Sequence, residues 1–192
     1  MESGVALTFD DGPHRHGTPQ VLEILADQQV RATFFLVGEQ VRKQPELAAE
    51  IAAAGHEIAL HCYEHRNLMG LTPHQTRDDL ERADQLISEV TGCIPRLYRP
   101  PYGILSASAL RFARERKLDT VLWSNDGRDW SSKASPETIY QQITADLTPG
   151  AVMLLHDADD YSVQHSWTRT VAALPQTIER VRELDLEFTD AF

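Results

Sequence analysis

Short apolar, β-rich runs alternate with amphipathic segments of helical length along the whole chain. Seven runs have strand character: residues 5–9, 32–37, 57–60, 96–98, 120–123, 151–155 and 186–189. Helix starts are marked at Thr18-Pro19, Thr72-Pro73 and Ser135-Pro136, where a hydroxyl that can cap free backbone N–H groups precedes a proline suited to the first turn. Thr72 also has Gln75 three residues on, which completes a capping box. Leu80, Ala83, Ile87 and Val90 fall on one helical face, and Val171, Leu174, Ile178 and Val181 repeat that spacing, so both stripes are core. Strands alternating with helices predict a single α/β domain with a parallel sheet. Periodicity leaves a closed barrel and an open doubly wound sheet equally open, since both bury their strands on two faces.

A chain of 192 residues, 42% hydrophobic, is long enough for one domain with a sizeable core. Its formal net charge of -11 repels nucleic acid and anionic membrane surfaces, so neither is an expected partner. The longest apolar runs, such as residues 151–155, are too short to cross a bilayer, and no membrane insertion is expected. Met1-Glu2-Ser3-Gly4 lacks the basic start and apolar stretch of a secretory signal. The expectation is a cytoplasmic protein, or an extracytoplasmic one if the sequence is a trimmed mature form. Cys62 and Cys93 match no CxxC pattern and read as two unpaired thiols in a reducing compartment. No GxGxxG or GxxxxGK[ST] loop follows any strand, so the chemistry must come from side chains.

Those side chains gather where strands end. Asp10, Asp11 and Gly12 follow the first run, His61 and His65 the third, and Arg99 the fourth; Asp126, Asp129 and Trp130 follow the fifth, and His156 and Asp157 the sixth. In parallel α/β folds this is the edge where active sites form. His61 and His65 are four apart, a spacing that lets both rings face one metal from a single helical turn, although eight histidines in the chain make such a pair weak evidence by itself. His61-Cys62-Tyr63-Glu64-His65 does not place its glutamate as HExxH requires, which excludes a zincin-type protease. Two histidines need an oxygen ligand, and Asp10-Asp11 supplies it: neighbours leaving a strand point in different directions, so one can hold a metal while the other handles protons. His156 ends a buried strand, where Asp126 or Asp129 could keep its ring protonated as a general acid. Arg99 sits on a turn stiffened by Pro100 and Pro101.

Taken in order, Thr8-Phe9-Asp10-Asp11-Gly12, His61-Cys62-Tyr63-Glu64-His65, Arg99-Pro100-Pro101-Tyr102, Asp126-Gly127-Arg128-Asp129-Trp130 and Leu154-Leu155-His156-Asp157 resemble the motifs of the NodB-homology polysaccharide deacetylases, carbohydrate esterase family 4. The resemblance implies a distorted (β/α)7 barrel, with residues 1–192 forming one catalytic domain. It implies a divalent metal, zinc first and cobalt or nickel as alternatives, held by Asp11, His61 and His65. It makes Asp10 the base that takes a proton from a metal-activated water, Arg99 the residue that orients Asp10, and His156 the acid that protonates the leaving amine. Asp129 is then the carboxylate that tunes His156, the Tyr102 backbone N–H meets the oxyanion, and Trp130 and Tyr102 wall the substrate groove. Cys62 departs from the Ser or Thr usual after the first metal histidine, and Arg66 from a usual Pro.

The implied partner is an N-acetylated glycan or oligosaccharide of chitin or peptidoglycan type; the sequence sets no oligomeric state. The chain's acidity favours neutral or cationic glycans over polyanions. O-deacetylation of acetylxylan, N-deacylation of a small metabolite, and a silent glycan-binding module are the alternatives. Asp159, Asp160, Tyr161, His165 and Trp167 in the segment 157–167 are candidates for a substrate rim, against an ordinary solvated loop.

Overall fold

The computed structural model describes residues 4–191. Eight strands are all parallel: β1 (Gly4–Asp10), β2 (Thr33–Val37), β3 (Glu57–Cys62), β4 (Leu97–Tyr98), β5 (Asp119–Thr120), β6 (Asn125–Asp126), β7 (Val152–His156) and β8 (Glu187–Phe188). Their order is β5-β4-β3-β2-β1-β7-β6, with β8 joined to the start of β1. Around them lie α1 (Gly17–Asp27), α2 (Gly38–Lys43), α3 (Pro45–Ala53), α4 (Pro73–Thr91), α5 (Ala107–Arg116), α6 (Pro136–Ile143) and α7 (Ser166–Glu183). The sheet curls into a distorted (β/α)7 barrel, left open because β5 and β6 do not pair among the described residues.

Alternation along the strands sorts the side chains. Val5, Leu7 and Phe9 of β1, Ile58, Leu60 and Cys62 of β3, and Met153 and Leu155 of β7 join the large core beneath the helices. The other face carries a smaller apolar cluster that includes Ala6, Phe35, Ala59, Leu97, Val121 and Val152. That inner face ends in Asp10, His61 and His156, and Asp10 is the register partner of His156. Period two therefore delivers three functional groups to one end of the barrel. It also turns Cys62 into the outer core, away from the site.

The strand expected over residues 120–123 is split into β5 and β6. Val121 N–H bonds to Tyr98 O on one side, Ser124 N–H bonds to Val152 O on the other, and the chain crosses between them without a neighbouring strand. The Val121 and Leu122 carbonyls accept instead from Arg99 Nε and Nη2, each at 3.2 Å. An apolar run reads as a strand even when its acceptors are satisfied by a side chain, which is why the pattern misled. The other six runs are strands with ends shifted by one or two residues.

Thr72 forms the expected capping box, and Ser135 caps α6. Thr18 does not cap α1: the helix begins at Gly17 after His16, and Thr18 Oγ1 accepts from the His14 N–H and donates to the buried carboxylate of Asp157. Asp157 also lies so close to Gly12 that a Cβ there would stand 2.5 Å from its Oδ2, which accounts for the glycine. Of the two helical stripes, Val90 and Val171 are partly buried and the rest fully so. No helix among the described residues is long and apolar enough to cross a membrane.

Candidate active site

The open end of the barrel holds a cavity of about 530 Å³ lined by Asp10, Asp11, His61, His65 and His156, with Tyr102, Trp123, Trp130 and Tyr161 among its walls. Asp10 is the last residue of β1, and Asp11 follows with φ 79. A non-glycine residue in that left-handed region is costly and is kept where the surroundings demand it. Here the turn brings two successive carboxylates into the same cavity.

Asp11 Oδ1 lies 3.5 Å from His61 Nε2 and 3.2 Å from His65 Nε2. The three ligand atoms fall within 4.8 Å of one another, and Asp11 Oδ1 has no hydrogen-bond donor of its own. His61 Nδ1 faces the Arg99 carbonyl at 2.6 Å, which fixes the tautomer with its proton on Nδ1 and leaves the Nε2 lone pair toward Asp11. Burial lowers the His61 pKa to about 4, so its ring is neutral, as a ligand must be. Burial alone would raise Asp11, but the adjoining His65 ring and the positive charge of His156 bring it to about 2, so it is ionised. An unsatisfied carboxylate oxygen facing two imidazole nitrogens fits a divalent cation. The two histidines do not share a helical turn as their spacing suggested: His61 is on β3 and His65 lies beyond the strand end.

Two further ionisable groups, Asp10 and His156, flank this cluster. Asp10 Oδ1 accepts from Arg99 Nη1 at 2.7 Å, and its Oδ2 lies 4.0 Å from His61 Nε2. Arg99 is 0% exposed; Nη1 also donates to Thr8 Oγ1, and the guanidinium lies over the Phe35 ring. Opposite, His156 Nε2 is 4.0 Å from Asp11 Oδ2, while its Nδ1 is 2.7 Å from Asp129 Oδ1. Asp129 Oδ2 accepts from the His156 backbone N–H and from Thr170 Oγ1. Burial would lower the His156 pKa, but the charge and hydrogen bond of Asp129, with Asp11 and Asp10 behind them, raise it to about 10. Of the two carboxylates considered, Asp129 is the one bonded to the His156 ring; Asp126 accepts instead from the Arg128 N–H and lines the cavity.

Tyr102 and Trp130 are 57% and 47% exposed at the rim, so aromatic surface is offered to a ligand. Tyr102 has φ 59, and its N–H is the first amide donor after two prolines. Cys62 is buried among core side chains, apart from the cluster, and burial raises its thiol pKa.

Sequence reading missed the support of the His61–His65 segment. Asp79, buried on α4, accepts from the Tyr63 and Glu64 N–H groups at 2.8 and 3.1 Å, and Arg66 lies 3.7 Å from it. The available signal was an aspartate beside the Leu80 and Ala83 stripe, where burial demands a partner. Of the candidate rim residues, Tyr161 lines the cavity, while Asp159 pairs with His14 and Trp167 packs beside His14 and His16. His14, Asp159 and Asp160 form a second cluster of metal-ligating types. There His14 Nδ1 accepts the Gly17 N–H, so its ring proton sits on Nε2 facing Asp159, and no lone pair is free for a metal.

A sequence profile of the polysaccharide deacetylases matches residues 2–121. A peptidoglycan-N-acetylglucosamine deacetylase of Bacillus cereus is 36% identical over 90% of this chain, which spans 62% of that protein's length. A chitooligosaccharide deacetylase of a Bradyrhizobium species is 37% identical over 95% of this chain and 86% of its own. Among solved structures, a peptidoglycan N-acetylglucosamine deacetylase in complex with 4-naphthalen-1-yl-N-oxidanyl-benzamide superposes with a TM-score of 0.91 at 33% identity, covering 98% of this chain and 86% of that one. Profile, sequence relatives and fold agree, and the chain belongs to the polysaccharide deacetylase family, the NodB-homology deacetylases of carbohydrate esterase family 4.

Proposed function

We propose that the protein is a metal-dependent hydrolase that removes N-acetyl groups from N-acetylated glycans or oligosaccharides of chitin or peptidoglycan type. One observation carries the reading: Asp10 on Arg99 and His156 on Asp129 face the Asp11, His61 and His65 cluster from two sides, each 4.0 Å from one of its members. Amide hydrolysis needs both a base for the attacking water and an acid for the departing amine. The names of the relatives support the glycan substrate.

A divalent cation held by Asp11, His61 and His65 would lower the pKa of a water and polarise the acetyl carbonyl. A donor set of two nitrogens and one oxygen suits zinc, with cobalt(II) and nickel(II) as substitutes. Arg99 fixes Asp10 by one oxygen and leaves the other to take the proton of the attacking water. The Tyr102 N–H would meet the developing oxyanion, as the family resemblance implies. His156, kept protonated by Asp129, donates from Nε2 to the leaving amine. Trp130 and the Tyr102 ring lie against the sugar.

Acetate release from N-acetylglucosamine oligomers tests this. Asp10→Asn is expected to lower kcat by at least about 100-fold while bound metal is retained. Undiminished turnover would overturn the assignment of the base. Acetylxylan and small acetamides run in parallel distinguish O-deacetylation and metabolite deacylation. Oligosaccharide binding without acetate release under any metal would make the protein a silent binding module.

A further inference from the structure

The two histidines of the cluster are braced by different means. His61 has the carbonyl of Arg99 on Nδ1. His65 Nδ1 is buried and has no hydrogen-bond partner, so its ring lacks the brace that the Arg99 carbonyl gives His61. Two tyrosines enclose it instead. Tyr161 stacks on the imidazole with ring centres 4.3 Å apart and planes at 19°, and Tyr102 meets it edge-on at 4.6 Å.

Tyr102 is an exposed rim residue, whereas Tyr161 is tied down at its far end. The Tyr161 hydroxyl donates to Glu39 Oε1 and accepts from Gln40 Nε2 at 2.8 Å. Gln40 is 3% exposed on α2, a buried amide that the proposed chemistry does not use and that this bond accounts for. With its proton given to Glu39 and a lone pair to Gln40, the phenol is committed to the protein. Glu39 and Gln40 follow β2, His65 follows β3, and Tyr161 arrives from beyond β7. The clamp thus spans the mouth of the barrel.

We infer that Tyr161, anchored by Glu39 and Gln40, is a positioning residue that sets the ring plane of His65 as a metal ligand. The inference rests on the proposed role of His65 as a metal ligand. A histidine ligand needs its Nε2 lone pair aimed at the ion, and the hydrogen bond that usually fixes its ring is missing here. A stacked ring restricts rotation of the imidazole in its place.

Cobalt(II) titration of metal-free protein, without glycan, is the test, with the cobalt visible spectrum as second readout and thermal melting of the metal-free protein as folding control. Tyr161→Leu is expected to weaken cobalt affinity about 10- to 100-fold, the range seen when a ligand loses its outer support. Tyr161→Phe keeps the stack, loses the anchor, and is expected to recover most but not all of that loss. A leucine variant that binds cobalt within about twofold of the parent and shows only a raised KM would make Tyr161 a substrate wall and overturn the inference. Should the leucine variant fail to fold, Tyr161→Phe decides: a weaker affinity or altered spectrum supports the clamp, and an unchanged pair of readouts overturns it. A parent protein that binds cobalt yet releases no acetate refutes the deacetylase reading and leaves the clamp measurable.

Discussion

Asp129→Asn removes a charge and almost no volume, and three hydrogen bonds determine its effect. Asp129 accepts from His156 Nδ1, from the His156 backbone N–H and from Thr170 Oγ1, each at 2.7 Å. Asparagine keeps one oxygen for the backbone N–H and Thr170, but turns its amide nitrogen toward Nδ1, where the imidazolium then meets a donor. A hydrogen bond to a charged partner contributes about 1.5–3 kcal/mol, which lowers the His156 pKa by about one to two pH units when lost. In the parent that pKa is raised from 6.5 to about 10, so the protonated ring stabilises the fold fully below about pH 6.5, and this contribution fades as pH climbs through about 10. The variant gives up about 1.5–3 kcal/mol of that stability at neutral pH, and the alkaline limb of its kcat profile moves toward neutrality. With its pKa then at about 8 to 9 the ring stays protonated at pH 7 and turnover there changes little, whereas near pH 10 turnover is expected to fall by about 5- to 50-fold as the acid is lost. Initial rates of acetate release across the pH range, with denaturant melts at the same pH values, measure both effects. An alkaline limb that overlays the parent's, with kcat near pH 10 within about threefold, would refute the role of Asp129.

Arg99→Met leaves the Asp10 carboxylate buried without its partner and is expected to cost about 3–5 kcal/mol in urea unfolding. Asp157, buried beside Thr18, has its pKa raised from 3.8 to about 7 by burial, so its contribution to stability is complete below about pH 3.8 and is lost as pH rises through about 7. Asp157→Asn is therefore expected to gain melting temperature relative to the parent at pH 8 but not at pH 4; an equal difference at both would contradict the burial argument. Chelation is expected to abolish acetate release and lower the melting temperature, with zinc at about 100 times its Kd restoring about 2.7 kcal/mol.

The parallel α/β order was legible because long apolar runs and capped amphipathic helices are local signals, and β1, β2, β3 and β7 form where the pattern placed them. Asp10, Asp11, His61, His65, Arg99, Asp129 and His156 were legible because strand ends gather them and the motif order names them. What stayed hidden depends on distant contacts. Nothing local marks Tyr161 as the neighbour of His65, because α2 and the segment beyond β7 must first fold together. Thr18 looked like a helix cap, and only the approach of Asp157, 139 residues away, redirects its hydroxyl.

Arg99 gives the gap between β5 and β6 a further meaning. Its guanidinium serves Asp10 with one nitrogen and holds the wandering wall at Val121 and Leu122 with the others. The architecture therefore gives this arginine a task whether or not chemistry occurs. Loss of Asp10 or His156 would silence the chemistry and leave that structural task of the arginine in place. In this chain the arginine belongs to the container as much as to the site, while Asp10 and His156 reach only into the cavity.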